Sequence, residues 1–319
     1  MSAPTLEVHI TPEQLGAALR ADVAHGLTAS PKWLPPKWFY DARGSELFER
    51  ITRLPEYYPT RTERALLERY AGEIAAVTDP RILVELGSGS SEKTRLLLRS
   101  LPGLERYVPQ DVSETALRDA ARRTADEFPG IEVHGVVGDF TESLHHLPTG
   151  GRRTIAFLGG TLGNLVPDER REFLSGIADV LDAGDHLLLG VGLVTDPAIL
   201  VPAYDDAAGV TAEFDRNVLS VLNKQLGADF EPDRFRHVAV WDPVAEWIEM
   251  RLEATDEMTV RIADPGFDVT FAAGEQLRTE ISAKFRLPGL RDELRTAGFG
   301  EVRTWTDADE RFALVCARR

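Results

Sequence analysis

The sequence predicts an α/β fold: a parallel sheet with helices on both faces, joined to a second lobe of mixed α+β structure. Three observations predict it. Between residues 81 and 192, short apolar runs alternate with helical stretches, as parallel strands joined by crossover helices do. The first of those runs ends in a glycine loop, Gly87-Ser88-Gly89. After residue 192 the alternation stops, and extended segments separated by turn signals read as antiparallel structure.

Each element has its own signal. Thr11-Pro12-Glu13 starts a helix, with Thr as N-cap, Pro in the first turn and an acid behind it, and the helix runs to about Gly26. The stretch 31–41 is too proline-rich for a helix or a central strand. It nevertheless carries Trp33, Trp38, Phe39 and Tyr40, and such rings must pack on something or line something. A short helix over 45–53 and a longer one from Thr62 towards Ile74 follow. Strands over 82–86, 107–111, 131–137, 154–158 and 185–191 then alternate with helices over 91–100, 113–128 and 167–181. Right-handed crossovers follow from strand twist.

The insertion opens with helices over 196–208 and 211–226. Extended segments over 236–241, 246–253, 258–263, 267–272 and 279–286 follow, with Asp264-Pro265-Gly266 and Ala273-Gly274 as turns. A helix over 290–297 and two strands close in sequence, 300–306 and 311–317, end the chain as a hairpin. Single cores stop growing at about 250–300 residues, so a chain of 319 residues is expected to form two lobes. The expected division is 61–192 plus 286–319 for the sheet domain, and 1–60 plus 193–285 for the second lobe.

Charge removes several functions. With 36 Lys and Arg against 52 Asp and Glu, the net charge of −16 opposes nucleic-acid binding and docking on anionic lipid. A small-molecule enzyme is compatible with it. The single cysteine, Cys316, excludes an intrachain disulfide and a Cys-rich zinc site, and its apolar surroundings make it a small core residue. The adjacent pair His145–His146 lacks a helical metal spacing, so no metal is expected. There is no run of 18 apolar residues and no secretory leader in 1–11, which leaves a cytoplasmic monomer as the expectation.

The glycine loop carries the first chemistry. Glycines there let the backbone turn and a ligand approach beyond the carboxyl ends of the strands. A Gly-x-Gly alone is weak, but Asp111 ends the second strand, where a carboxylate can take both ribose hydroxyls. Asp139-Phe140 ends the third, where an acid and a flat ring can hold an adenine. A dinucleotide site wants Gly-x-Gly-x-x-Gly, whereas the third position after Gly89 is Glu92, which would repel a pyrophosphate. The Walker spacing is missing too. Glu85-Leu86-Gly87-Ser88-Gly89 points instead to S-adenosylmethionine, which has no phosphate and carries a sulfonium and an ammonium. Five parallel strands closed by an antiparallel pair describe the Rossmann-like sheet of the class I SAM-dependent methyltransferases.

A methyl acceptor must be held as well. Asn164 follows the fourth strand and both donates and accepts, although a turn residue is the simpler account. Tyr204 lies on the helix that opens the insertion, where a core tyrosine is the simpler account. In Thr279–Phe285 the residues alternate: Ile281, Ala283 and Phe285 face one way, and Glu280, Ser282 and Lys284 the other. A carboxylate and a hydroxyl two apart suit an imidazole; a solvated strand face is the competing account. Met250 reads as core by pattern alone.

These residues resemble a known family, the histidine-specific Nα-methyltransferases of ergothioneine biosynthesis. The resemblance covers essentially the whole chain. Its carriers include Leu34-Pro35-Pro36-Lys37-Trp38-Phe39-Tyr40-Asp41, Leu54-Pro55-Glu56-Tyr57-Tyr58-Pro59-Thr60-Arg61-Thr62-Glu63, Glu85-Leu86-Gly87-Ser88-Gly89, Gly163-Asn164, Tyr204-Asp205-Asp206, Phe214-Asp215-Arg216-Asn217 and Thr279-Glu280-Ile281-Ser282. It implies three successive methyl transfers from S-adenosylmethionine to the α-amine of L-histidine, giving hercynine. It implies cosubstrate contacts at Tyr40, Gly87, Lys93, Asp111, Asp139 and Phe140. It implies that Tyr57, Glu280 and Ser282 read the imidazole with Met250 nearby, and that Asn164 and Tyr204 hold the carboxylate and amine, with Gly159 lining the site. Tyr57 and Asn164 take the catalytic assignment, and no residue reads as a dedicated base. One segment departs: the family's Gly-x-Asp-Leu-x-Lys is here Gly190-Val191-Gly192-Leu193-Val194-Thr195, without its acid and base. The competing readings are the same chemistry on tyrosine or tryptophan, a SAM-binding protein without turnover, and a dinucleotide oxidoreductase.

Overall fold

The structure is a computed structural model that describes residues 4–89, 91, 93–141 and 144–319. Glu92, used above to weigh pyrophosphate, lies outside the described residues. In chain order the first half contains β1 (Thr5–Val8), α1 (Pro12–Thr28), β2 (Lys32–Trp33), α2 (Ala42–Ile51), α3 (Tyr58–Thr78), β3 (Ile82–Leu86), α4 (Thr94–Ser100), β4 (Arg106–Asp111), α5 (Glu114–Glu127), β5 (Glu132–Val137) and β6 (Arg153–Phe157). The second half contains α6 (Pro167–Val180), β7 (His186–Gly192), α7 (Pro197–Tyr204), α8 (Val210–Leu226), β8 (Phe235–Asp242), β9 (Trp247–Ala254), β10 (Met258–Ile262), β11 (Phe267–Phe271), β12 (Gln276–Ala283), α9 (Leu287–Thr296), β13 (Val302–Thr306) and β14 (Phe312–Arg318). The chain divides into two compact units. One comprises the segment ending at Thr11 with Pro59–Val194 and Phe285–Arg319; the other comprises Pro12–Tyr58 and Thr195–Lys284.

The first unit is built on an eight-stranded sheet in the order β1-β5-β4-β3-β6-β7-β14-β13. Six strands run parallel, and β14 and β13 close the sheet antiparallel, as the terminal hairpin predicts. Strands β3, β6 and β7 are buried along their whole length, which is why they read as apolar runs without alternation. This is the class I methyltransferase sheet expected from the sequence, with one strand more. β1 pairs parallel with β5, Leu6 opposite Gly135. Residues 4–11 therefore belong with the sheet and not with the lobe to which 1–60 was assigned. Four residues, mostly exposed, at a sheet edge leave too little pattern to read. The core joins Leu66, Leu67 and Ile74 of α3 to Leu83, Tyr107, Leu188 and Leu314. Cys316 lies within it, and burial pushes its thiol up to about 12.

The second unit holds the sheet β2-β12-β9-β8, the β10–β11 hairpin, and helices α1, α2, α7 and α8. The proline-rich stretch resolves into an edge strand, β2, and a single 3-10 turn over Pro36–Phe39 with Pro in its first turn. Its rings do pack: Phe39 is fully buried with its ring 4.6 Å from that of Phe214, and Trp38 Nε1 donates to Asp22 at 2.9 Å. Asp41 caps α2 by accepting from the Gly44 amide at 2.8 Å. Helix α8 buries Phe214, Val218, Leu219, Leu222 and Leu226, one face of a 3.6-residue period. Asp206 caps its start, its carboxylate accepting from the amides of Val210 and Thr211 at 3.0 and 2.7 Å.

Candidate functional site

In the first unit, the loop after β3 bends where only glycine is at ease. Gly87 has φ +64° and Gly89 φ +48°. A Cβ on Gly87 would reach within 3.8 Å of Phe140 Cε1, so the loop and that ring bound the same small space. The Phe140 ring is braced edge-on by Phe157 and Phe173, with centroids 5.0 and 5.7 Å away. Asp111 ends β4 and accepts from the Gly89 amide at 2.9 Å and the Ser113 amide at 3.0 Å. Burial raises its pKa, and the amide bonds oppose that rise. Each of its oxygens keeps a lone pair for a hydroxyl. Asp139 accepts from the amide and the hydroxyl of Thr141 at 2.9 and 2.6 Å, which fixes the turn that presents Phe140.

Lys93 is not a free cation. Its Nζ is paired with Glu63 of α3, a fully buried acid whose other oxygen accepts from the Gly159 amide at 2.7 Å. Gly159 has φ +85°, and the 3-10 turn Thr161–Asn164 follows it, which puts Asn164 at the end of the turn beyond the carboxyl end of β6. Gly190 lies under the same acid: a Cβ there would overlap Glu63 Oε1. Glu85 is buried, with its oxygens accepting from the Thr94 and Tyr107 hydroxyls, and burial pushes it up to about 7. It ties β3, β4 and α4 together beneath the loop. Paired loop glycines, an acid at the end of β4, a braced ring and a lysine already neutralised suit an adenosyl group that lacks a phosphate. The residues present therefore fit S-adenosylmethionine.

The second unit gathers another set. Tyr204, at the end of α7, meets Ser282 of β12, with Oη and Oγ 2.8 Å apart. The Tyr57 ring stands edge-on to that of Tyr204 at 6.0 Å and to Phe48 at 6.3 Å. The Tyr40 ring continues the series, 5.7 Å from Phe48 and 5.6 Å from Phe214, and is 40% exposed. Glu280 lies opposite Met250 across the β12–β9 pair, and a β-bulge between Arg278 and Glu280 sets that register. Burial pushes Glu280 up to about 8, with the Asp215 carboxylate adding to the rise. The solvated-face account of this strand does not hold: Ser282 and Lys284 are each 6% exposed, like Ile281 and Ala283 on the other side.

Three further groups were not among the site residues expected from the sequence, although Glu63 and Asp215 fall in motifs that carry the resemblance and Lys284 lies on the alternating face of 279–285. Glu63 sits in a helix whose pattern shows only amphipathicity. Asp215 and His237 form a buried pair at 2.6 Å; the other ring nitrogen of His237 meets the Tyr204 carbonyl at 2.8 Å, and Thr279 Oγ1 donates to Asp215 at 2.5 Å. This pair braces the backbone of Tyr204 and the residue before Glu280. Lys284 donates to Tyr204 Oη and Ser282 Oγ. Among the described residues, no group of three or more His, Cys, Asp or Glu is placed to hold a metal ion, and no helix is long and apolar enough to cross a membrane.

Comparison with known proteins identifies the family. The family described as "Histidine-specific methyltransferase, SAM-dependent" matches residues 19–319. The chain is 52% identical over 318 residues to the Histidine N-alpha-methyltransferase of Mycolicibacterium smegmatis, covering 99% of both chains. It is 50% identical over 305 residues to the protein of the same name from Mycobacterium tuberculosis, covering 95% of both. It is 32% identical to Ergothioneine biosynthesis protein 1 of Neurospora crassa, over 88% of this chain and 32% of that one.

Proposed function

The chain belongs to the SAM-dependent, histidine-specific methyltransferases, and from that premise we propose that it trimethylates the α-amine of L-histidine to hercynine, the entry to ergothioneine biosynthesis. The observation that carries the substrate reading is the Glu280–Ser282 pair on one face of β12, a half-buried acceptor and a buried hydroxyl at two-residue spacing.

S-adenosylmethionine, when bound, supplies a methyl group already activated on a sulfonium. Asp111 would hold its ribose hydroxyls, Asp139 and Phe140 its adenine, and Gly87 gives the backbone room to approach; Tyr40 and Lys93 complete the assignment. Glu280 and Ser282 are assigned to the two imidazole nitrogens, with Tyr57 and Met250 closing around the ring. Asn164 and Tyr204 are assigned to the carboxylate and amine, and Gly159 lines their surroundings. Alignment and exclusion of water are the protein's main contributions, since the transferred group needs no further activation. Tyr57 and Asn164 take the catalytic assignment, orienting the amine so that its lone pair is available once its proton has left. Aromatic faces accommodate the cation that grows with each methyl. A site built to bond a polar ring leaves its own groups unpaired when that ring is replaced, which is why histidine is preferred over tyrosine or tryptophan.

The test is mass spectrometry of a reaction of the protein with L-histidine and S-adenosylmethionine. The expected product has gained three CH2 units, all on the α-nitrogen. Methylation of another amino acid with histidine left unchanged would refute the assignment.

A further inference from the structure

Lys284 is a cation built into the group of residues assigned to the imidazole, yet it has no partner role in that assignment. We infer that Lys284 is a positioning residue whose ammonium sets the donor–acceptor polarity of the Tyr204–Ser282 hydroxyl pair, and so decides which form of the substrate ring the site accepts. The inference rests on the assignment of Glu280 and Ser282 to an imidazole.

The geometry is a closed triangle. Lys284 Nζ donates to Tyr204 Oη at 2.8 Å and to Ser282 Oγ at 2.7 Å, and the two oxygens are 2.8 Å apart. All three residues are buried, and the ammonium also lies 4.8 Å from the centroid of the Tyr204 ring. An ammonium can only donate, so both hydroxyl oxygens accept from it. One hydroxyl proton is consumed between the two oxygens. The other has no acceptor left in the triangle and must point outward. With Lys284 charged, the hydroxyl pair is therefore a donor towards the ligand.

Glu280 lies two residues before Ser282 on the same strand face and, when ionised, can only accept. The face then offers one acceptor and one donor, the complement of a neutral imidazole with one N–H and one bare nitrogen. An imidazolium, with two N–H groups, meets a donor and is rejected. The charges of the two residues are linked: burial pushes Lys284 down to about 7, and the Glu280 carboxylate acts to hold it up. Moving the proton from Lys284 to Glu280 turns the carboxyl into a donor and lets the three atoms close into a ring of bonds that uses both hydroxyl protons and leaves one amine N–H outside the ring. The hydroxyl pair then becomes the acceptor, and the site selects the other tautomer. Without Lys284, nothing orients the pair and either polarity is available.

The test uses the full chain and two ligands: histidine, and a pyrrolylalanine whose ring keeps its N–H but has carbon in place of the other nitrogen. In the wild type, the ratio of kcat/KM for histidine over the analogue reports the donated bond. Lys284→Met is expected to reduce that ratio by about tenfold and to raise the histidine KM, while leaving S-adenosylhomocysteine binding by calorimetry unchanged. Lys284→Gln, which keeps a donor without the charge, is expected to fall between, and it also serves if the Met variant is poorly folded. In a Ser282→Ala background the Lys284→Met effect should be less than additive, because the bond it orients is gone. A wild-type ratio in both Lys284 variants, or full additivity with Ser282→Ala, overturns the inference while leaving the proposed function standing. A wild-type protein that does not methylate histidine overturns both.

Discussion

Glu280 shows what burial does to a single carboxylate. Its pKa is pushed up to about 8, first by burial and then by the carboxylate of Asp215, with Lys284 and His237 pulling the other way. Only its ionised form accepts from an imidazole N–H, so the ionised fraction of the ligand-free protein grows as pH rises through that value. The expected result is that kcat/KM for histidine climbs through about pH 8. Glu280→Gln should lose that limb and raise the histidine KM by about 10–100-fold, the scale of a hydrogen bond to a charged group, with the KM of the cosubstrate unchanged. Steady-state kinetics from neutral to alkaline pH would show it; an unaltered limb in the variant would place the titration elsewhere. Glu280 and Ser282 were legible because period-two alternation put them on one face. Lys284 was legible only as a third residue on that face. That it lies buried between two hydroxyls depends on α7, a helix some 80 residues earlier in the chain.

Elements carry a different kind of information. Helix α3 supplies Glu63, whose two oxygens serve Lys93 and Gly159, and β7 supplies Gly190, where the absence of a side chain makes room for that carboxylate. Gly190→Ala is expected to cost roughly 1–3 kcal/mol, as overpacking at a buried position does, and to lower affinity for S-adenosylhomocysteine by disturbing Glu63. Urea denaturation and calorimetry on the same variant measure the two effects; an unchanged midpoint would show that the carboxylate can move aside at no cost. The same strand bears on the departure at Gly190–Thr195. Gly192 pairs with Phe312 and Leu193 bridges to Phe285, so the segment ends as ordinary strand without the missing acid and base. Helices were readable as types because each buries a face at its own period, and the central strands because burial on both faces makes them short unbroken apolar runs. β1 was not, because four edge residues impose neither.

For the molecule as a whole, pH acts on stability through its buried acids. Glu85 has an ordinary value of 4.5 and is raised to about 7 by burial, against the pull of the Thr94 and Tyr107 bonds. A raised acid favours the folded state in its neutral form. Its contribution is therefore complete below about 4.5 and is lost as pH rises through about 7. Glu280 has the same sign, and Lys284, lowered to about 7, has the opposite sign above that value. Replacing Glu85 by Gln keeps the shape and removes the titration. The variant should gain on the wild type by roughly 3 kcal/mol between mildly acidic and neutral pH, as followed by urea denaturation. Parallel curves for the two proteins would mean that Glu85 keeps its charge state across that range. The net charge of −16 spreads over many exposed acids, and the site reading rests on only a few of the 52.

The sequence by itself determined the class of sheet, the glycine loop, the acids that end β4 and β5, and the β12 pair assigned to the imidazole. It could do so because backbone periodicity and turn chemistry are local, and because a resemblance carried by long motifs names positions one at a time. Only the tertiary structure decided what neutralises Lys93, which atoms occupy Glu85, why Gly190 has no side chain, and that Lys284 is buried against Tyr204 and Ser282. Those are contacts between residues far apart in the chain, formed when side chains leave water, and a buried charge is defined by its partner, which no local pattern records.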